Sequence, residues 1–332
     1  MSHKLYIVSH IPKTAGSTLE SNFHRNFKGS GWLRGGGWLH LCRPSIGAAR
    51  AEQINELMTK YIAGNSNRHT KCIFGHGAYF GVHKVVNPAA EPRYITFLRD
   101  PVERCISMYY WYKNTAVRDW QREIVEGNWS IEEWLEKSKN PMKSNGQLRH
   151  LLLNSYEEAF LRYNCQSRHL LLDSHEAASI APELTREHLE EGERRLRQFW
   201  YVGLTETFDE DAHYLYGKLG FWKYNPQRVV NATPRDKEVS PATRRLIAEY
   251  NGLDMELYEF AREFRAEFIR NNALDFKRNI NKARRRRALF TALPFIDPLD
   301  QQITRLITRL WQIKRRLKRD KSTRLPSAAD AR

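Results

Sequence analysis

Cysteine is scarce in this chain, with four residues among 332. Cys42, Cys72, Cys105 and Cys165 form no C-x-x-C pair and stand at no His/Cys metal spacing, which excludes a zinc module and a disulfide-stapled scaffold. They read as reduced and mostly buried thiols. Long apolar runs are missing too: no stretch approaches the roughly 20 residues that a membrane-spanning helix needs. The residues from Met1 to Lys13 enter a strand at once, without a signal-peptide core, so the expectation is a cytoplasmic protein. There is no internal repeat. No carboxylate cluster suggests a metal, and the G-x-x-x-x-G-K-[ST] order of a Walker A loop is absent.

What remains is ample for a packed core, at 41% hydrophobic and 12% aromatic residues. Basic residues outnumber acidic ones by 54 to 38, a formal charge of +16, but the excess is uneven. From Lys277 to Arg332 the chain carries 17 basic and 4 acidic residues, net +13, which leaves only +3 for the preceding 276. The basicity therefore belongs to a tail, and the division expected is a domain over 1–276 followed by a basic segment over 277–332.

The segment KLYIVSHIPKTAGSTLESNF opens on a short β-branched run, Leu5 to Val8, that reads as a buried parallel strand. A small-residue loop follows. Leu19, Phe23 and Phe27 then recur at i, i+4, i+8, the period of a helix face. Strand, loop and helix N-terminus together make an anion site, because backbone N–H groups and the helix dipole converge there. Gly16 and Ala15 leave room for tetrahedral oxygens, Lys13 adds a cation, and Thr14, Ser17 and Thr18 can donate hydroxyl hydrogen bonds. The alternative is an ordinary βα turn with a surface lysine.

A second motif follows a second clear strand, in RYITFLRDPVERCISMYYWY. Asp100 is suited to cap the next helix and Pro101 to occupy its first position. Arg99 closes the strand, and Ser107 lies two turns into the helix. A guanidinium fork with a hydroxyl suits a second phosphate, so the pair of motifs implies a ligand phosphorylated at two ends. The competing reading pairs Arg99 with Asp100 or Glu103 as a structural ion pair.

The stretches HIPKTAGSTL (10–19) and FLRDPVERCISMYY (97–110) resemble the 5'-phosphosulfate loop and the 3'-phosphate motif of a sulfotransferase family. That family includes heparan sulfate and uronyl 2-O-sulfotransferases. GHG at 75–77, YVGLTETFDED at 201–211 and the later NATPR and LYEFA stretches fall in the same order, so that the resemblance spans about residues 4–270. It implies an α/β, P-loop-like three-layer fold with a central parallel sheet and helical cover. It also implies a metal-independent enzyme that uses 3'-phosphoadenosine 5'-phosphosulfate (PAPS) to sulfate a hydroxyl. The loop residues Pro12, Lys13, Thr14, Ala15, Gly16, Ser17 and Thr18 would then hold the 5'-phosphosulfate, and Arg99 with Ser107 the 3'-phosphate. Thr233 and Arg235 of NATPR would close over the nucleotide. Lys13 would stabilise the leaving group, and His76, which matches the family's catalytic histidine, would serve as base. Here Phe74 stands where the 2-O enzymes carry the first histidine of His-Gly-His, which weighs against a uronic-acid 2-hydroxyl as acceptor.

The expected acceptor is a carbohydrate, anionic or lipid-linked. Arg34, Lys84, Lys113, Arg118, Arg122, Arg149 and Arg168 with Trp32, Trp38, Trp111 and Trp120 are candidates for its groove, although each charge reads first as a solvated surface residue and Trp111 as helix packing. In the tail, Ile303, Leu306, Ile307, Leu310 and Trp311 form the apolar stripe of a basic amphipathic helix. That helix would suit an anionic membrane surface, the protein's own core or a sister copy, with no specific nucleic acid implied. The rival functions are a P-loop kinase using ATP and Mg²⁺ and a basic membrane or nucleic-acid adaptor. The absent Walker A order counts against the kinase, and the adaptor explains the tail but not the two phosphate motifs in the core.

Overall fold

The computed structural model describes residues 4–27, 32–34, 70–115, 124–138, 140–152, 183–224 and 238–291. Five strands form one sheet: β1 (Lys4–Ser9), β2 (Trp32–Arg34), β3 (Cys72–Gly75), β4 (Glu91–Leu98) and β5 (Tyr201–Leu204). Their order is β2-β3-β1-β4-β5, and every pairing is parallel. β2 was not anticipated. The glycines around it read as loop, yet Trp32 to Arg34 pair with Cys72 to Phe74.

Both faces of the sheet are covered, as the apolar runs of its strands require. On one face Leu5, Ile7, Tyr94, Leu98, Val202 and Leu204 join a single buried cluster. It is completed by α5 (Gly146–Leu151), α6 (Arg186–Arg197) and α9 (Gly252–Asn271), through Leu148, Leu189, Leu196 and Leu257. On the other face Val8, Phe74, Ile95, Phe97 and Tyr201 pack under α1 (Gly16–Phe27), α7 (Phe208–Leu219) and α10 (Ala273–Thr291). Successive strand residues alternate between the two clusters, as a period of two dictates. The predicted face of α1 is the one buried: Leu19 and Phe23 are at most 1% exposed. Truncating a ring such as Phe23 there costs about 3–5 kcal/mol. Three short or peripheral elements complete the set: α2 (His83–Val86), α3 (Pro101–Thr115) and α4 (Ile131–Lys137), with α8 (Pro241–Tyr250) behind them.

Two boundaries differ from the sequence pattern. The stretch ATRRLIAEYNGLDMELYEFAREFRAEFI (242–269), whose pattern reads as one long helix, breaks at Asn251, which is fully buried. Its amide donates to the carbonyls of Ile247 and Lys143 and accepts from the N–H of Asn145, so the side chain replaces helix bonds with bonds to a neighbouring turn. The division placed after residue 276 falls inside α10. Ile280 and Ala283, beyond that point, are buried in the same cluster as Phe276, so the start of the basic segment is part of the core. The amphipathic stretch 303–311 lies outside the described residues. Among the described residues no helix is long and apolar enough to cross a membrane.

The strand order creates a switch point. After β1 the chain leaves toward one edge of the sheet, and after β4 toward the other. The carboxyl ends of these adjacent strands therefore open a crevice between diverging connections, the place where ligands bind in open parallel sheets.

Candidate active site

The loop after β1 and the turn after β4 meet at that crevice. Arg99 Nη1 donates to the carbonyl of Lys13 at 3.1 Å, a contact between residues 86 positions apart. Its other approach, to Glu103, is loose at 3.9 Å, while Glu103 is held more closely by Arg244 at 2.9 Å. The competing ion-pair reading of Arg99 thus has a weak geometric basis, and the guanidinium belongs to the crevice. Asp100 caps α3 as expected, accepting from the N–H of Glu103 at 2.9 Å.

The loop itself is shaped by its backbone. Lys13 and Ala15 adopt left-handed conformations, φ 70° and 61°, a strained geometry for residues with a Cβ. Left-handed residues beside a helix start turn successive N–H groups toward one point and make a concave anion nest. Thr14 does not reach outward. It is 1% exposed, and its hydroxyl donates to the carbonyl of Ile11 at 2.9 Å, so it braces the loop from below. Pro12, Lys13, Ala15 and Ser17 are half-buried, while Gly16 and Thr18 are buried at the start of α1. Gly16 has a further reason to be glycine: a Cβ there would stand 1.9 Å from Nε2 of His10.

Lys13 lies in an electropositive and partly desolvated place. Its ammonium sits 5.3 Å from the ring centroid of Trp111, on α3. Burial, with the neighbouring charge of Arg99 second, lowers its pKa to about 8. Trp111 is therefore half-buried under the loop lysine as well as packed on Tyr112, a role beyond the helix packing expected of it. Ser107 is half-buried one turn before it on the same helix. Thr233 and Arg235 lie outside the described residues.

His76 follows Gly75, whose φ of 144° only glycine adopts readily, at the end of β3. Its Nδ1 is 2.6 Å from the carbonyl of His10, which can only accept, so Nδ1 carries the proton and Nε2 is the basic nitrogen of the neutral ring. The imidazoles of His10 and His76 stack with centroids 4.4 Å apart. His10 was missed in the sequence because its role is to hold another side chain. The same holds for Gln147 and Glu206, whose amide and carboxylate bond the backbone of Arg99 and Asp100. Arg149, read as a solvated charge, is instead 8% exposed with Nε donating to the carbonyl of Ser144.

The crevice thus offers two cations, an N–H nest and a basic imidazole. Among the described residues no group of three or more His, Cys, Asp or Glu side chains is arranged to hold a metal.

Part of this sequence is shared with known proteins. The heparan-sulfate 6-O-sulfotransferase 2 of Gallus gallus is 26% identical over 212 residues, which cover 61% of this chain and 50% of that protein. The heparan-sulfate 6-O-sulfotransferase 1 of Mus musculus is 29% identical over 180 residues, 51% of this chain and 42% of its own length. The chain thus spans about half the length, or less, of these relatives. Their names specify the 6-O position, whereas the motifs resembled a family that includes 2-O enzymes, so the likeness reaches the carbohydrate sulfotransferases and does not separate the two positions. The model of the sulfotransferase family matches residues 2–261, a span that holds the entire crevice. The chain belongs to the sulfotransferase family.

Proposed function

We propose that this protein transfers the sulfuryl group of PAPS to a hydroxyl of a carbohydrate. The observation that carries the reading is the bond from Arg99 to the carbonyl of Lys13, which joins the two phosphate motifs into one crevice at the switch point. The residues present fit such a donor: two half-buried cations and left-handed loop backbone lie at an opening whose carboxylates are already engaged, Glu103 by Arg244, Asp100 by the N–H of Glu103 and Glu206 by the N–H of Asp100 and the hydroxyl of Tyr258.

PAPS supplies an activated sulfuryl group on a 5'-phosphate. Arg99, with Ser107 on the following helix, holds the 3'-phosphate. Lys13 and the N–H groups at the start of α1 hold the 5' end and meet the negative charge that grows on the leaving phosphate. His76 Nε2 takes the proton of the acceptor hydroxyl as its oxygen bonds to sulfur and the bond from sulfur to the 5'-phosphate oxygen breaks. The carbonyl of His10 keeps the imidazole in the tautomer this requires.

The acceptor is read as a carbohydrate from the names of the relatives, and a 6-hydroxyl of heparan sulfate is the first to test. Cytoplasmic placement, peripheral membrane contact through 303–311 and self-association belong to the same proposal and rest on the sequence pattern alone.

Calorimetric titration with the product 3'-phosphoadenosine 5'-phosphate (PAP), and separately with ADP and ATP, each with and without Mg²⁺, tests the donor. Tight, metal-independent binding of PAP supports the reading. Preference for ATP with Mg²⁺ would replace it with a kinase.

A further inference from the structure

The turn after β4 is bonded at every backbone group by something other than a strand. Thr205 donates to the carbonyl of Leu98 through both its N–H, at 2.8 Å, and its hydroxyl, at 3.1 Å. Glu206 accepts from the N–H of Asp100 at 3.0 Å. Between them, the side-chain amide of Gln147 closes a two-point clasp on Arg99: Oε1 accepts from its N–H at 2.9 Å and Nε2 donates to its carbonyl at 2.8 Å. The amide acts as one more rung of sheet pairing, laid over the residue where β4 has ended.

Gln147 is itself immobilised. It is fully buried, and its own N–H donates to Asp254 Oδ2 at 2.9 Å while the N–H of Leu148 donates to Oδ1 at 2.8 Å. Asp254 is fully buried beside Arg104, with 3.7 Å between charged atoms, and its N–H donates to Asn145 Oδ1. Burial pushes the Asp254 carboxyl upward, while Arg104 and the two donated N–H groups act in the opposite direction. The clasp therefore connects α3, α5 and α9 to a single residue, Arg99, whose guanidinium end is fixed separately by the carbonyl of Lys13. A side chain held at both its root and its head loses little freedom on binding and presents its fork in one direction.

We propose that Gln147 is the positioning residue of Arg99 and so sets how strongly the protein distinguishes a nucleotide bearing a 3'-phosphate from one without it, a role that rests on the assignment of Arg99 to that phosphate. Gln147 touches no ligand. It acts through the backbone of the residue that does.

The test uses the full chain with Gln147→Ala and the near-isosteric Gln147→Glu, which keeps the acceptor for the N–H of Arg99 and loses the donor to its carbonyl. Calorimetry measures affinity for PAP and for AMP, which differ by the 3'-phosphate, and a thermal melt follows folding. The expected result is a PAP-to-AMP affinity ratio about tenfold below the parent protein, the loss equivalent to one unmade buried hydrogen bond, with AMP affinity nearly retained. An unchanged ratio, an equal loss for both nucleotides, or failure of both variants to fold assigns Gln147 to the fold alone and overturns the proposal. If the parent protein itself does not prefer PAP to AMP, the assignment of Arg99 is what fails, and that result is visible before any variant is made.

Discussion

The two halves of the crevice are built on opposite plans. The turn carrying Arg99 is over-determined: three side chains, Gln147 on α5 and the adjacent Thr205 and Glu206 after β5, bond its backbone, and all of them are held by further bonds or by burial. The loop carrying Lys13 is braced chiefly from beneath, by Thr14, and keeps two residues in strained left-handed conformations with a lysine resting over an indole. The difference matches what each half must do. The 3'-phosphate takes no part in bond breaking, so a rigid fork that recognises it suffices. In the proposed reaction the loop would face a group whose charge changes, and a lysine of lowered pKa would respond to that change. Affinity and selectivity should therefore reside on the turn, and rate on the loop side.

The largest effects should break this division on the loop side. His76→Ala is expected to slow transfer by about 10²–10⁴-fold, the usual worth of a positioned base, while PAP affinity stays near the parent value. Loss of PAP binding in that variant would place His76 in the nucleotide site and remove it as base. Lys13→Ala should lower the rate constant by about 10²–10³-fold, the cost of one lost transition-state donor, with a much smaller change in PAP affinity. Single-turnover rates beside calorimetric affinities separate the two quantities, and equal losses in both would dissolve the distinction between loop and turn.

A smaller effect, on the other axis, is expected from the turn. Arg99→Ala should reduce the preference for PAP over AMP by about 10²-fold, in line with removal of a charge-assisted, bidentate contact, and saturating donor should recover most of the rate. A rate defect that saturation does not recover would show that the rigid half takes part in the chemistry.

Much of this division was legible before the structure, and the reason is chemical. An anion nest needs small residues, a cation and a helix start within one short segment, so 10–18 announced itself, as did Arg99 at the end of a strand with Asp100 as cap. The apolar strand runs and the helical period of Leu19, Phe23 and Phe27 pointed to parallel strands joined by helices, and the three-layer arrangement came from the family resemblance. What the pattern could not reveal were residues that act through other residues. Gln147 reaches Arg99 from 48 positions away and His10 works by its carbonyl and its ring face, so neither has a local signature. The left-handed Lys13 and Ala15 were hidden too, because glycine and asparagine are the residues that normally mark positive φ. The break at Asn251 escaped for the same reason as Gln147: its cause is a distant backbone, that of Asn145.

The smallest expected effect sharpens the comparison through pH. Burial and the charge of Arg99 bring Lys13 down to about 8 from an ordinary 10.5, so in the ligand-free fold its neutral form becomes the major one only above about pH 8. A bound phosphate prefers the ammonium. PAP affinity should therefore be highest well below pH 8 and fall through it, by at most about fourfold between pH 7 and 8.5. Folding stability should move the other way. The unfolded chain holds the Lys13 proton up to about pH 10.5 and the folded chain only to about 8, so the contribution of Lys13 to stability grows as pH rises between those values and is lost as pH falls through the lower one. Lys13→Met removes the charge with little change in volume and should flatten both trends, leaving a variant whose PAP affinity is level with pH and only a few-fold below that of the parent protein at pH 7. Calorimetry at four or five pH values, with thermal melts alongside, reads both slopes. An affinity that stays level from pH 7 to 9 in the parent protein would mean that Lys13 does not meet the 5' end, and the loop would then owe its anion binding to its backbone N–H groups alone.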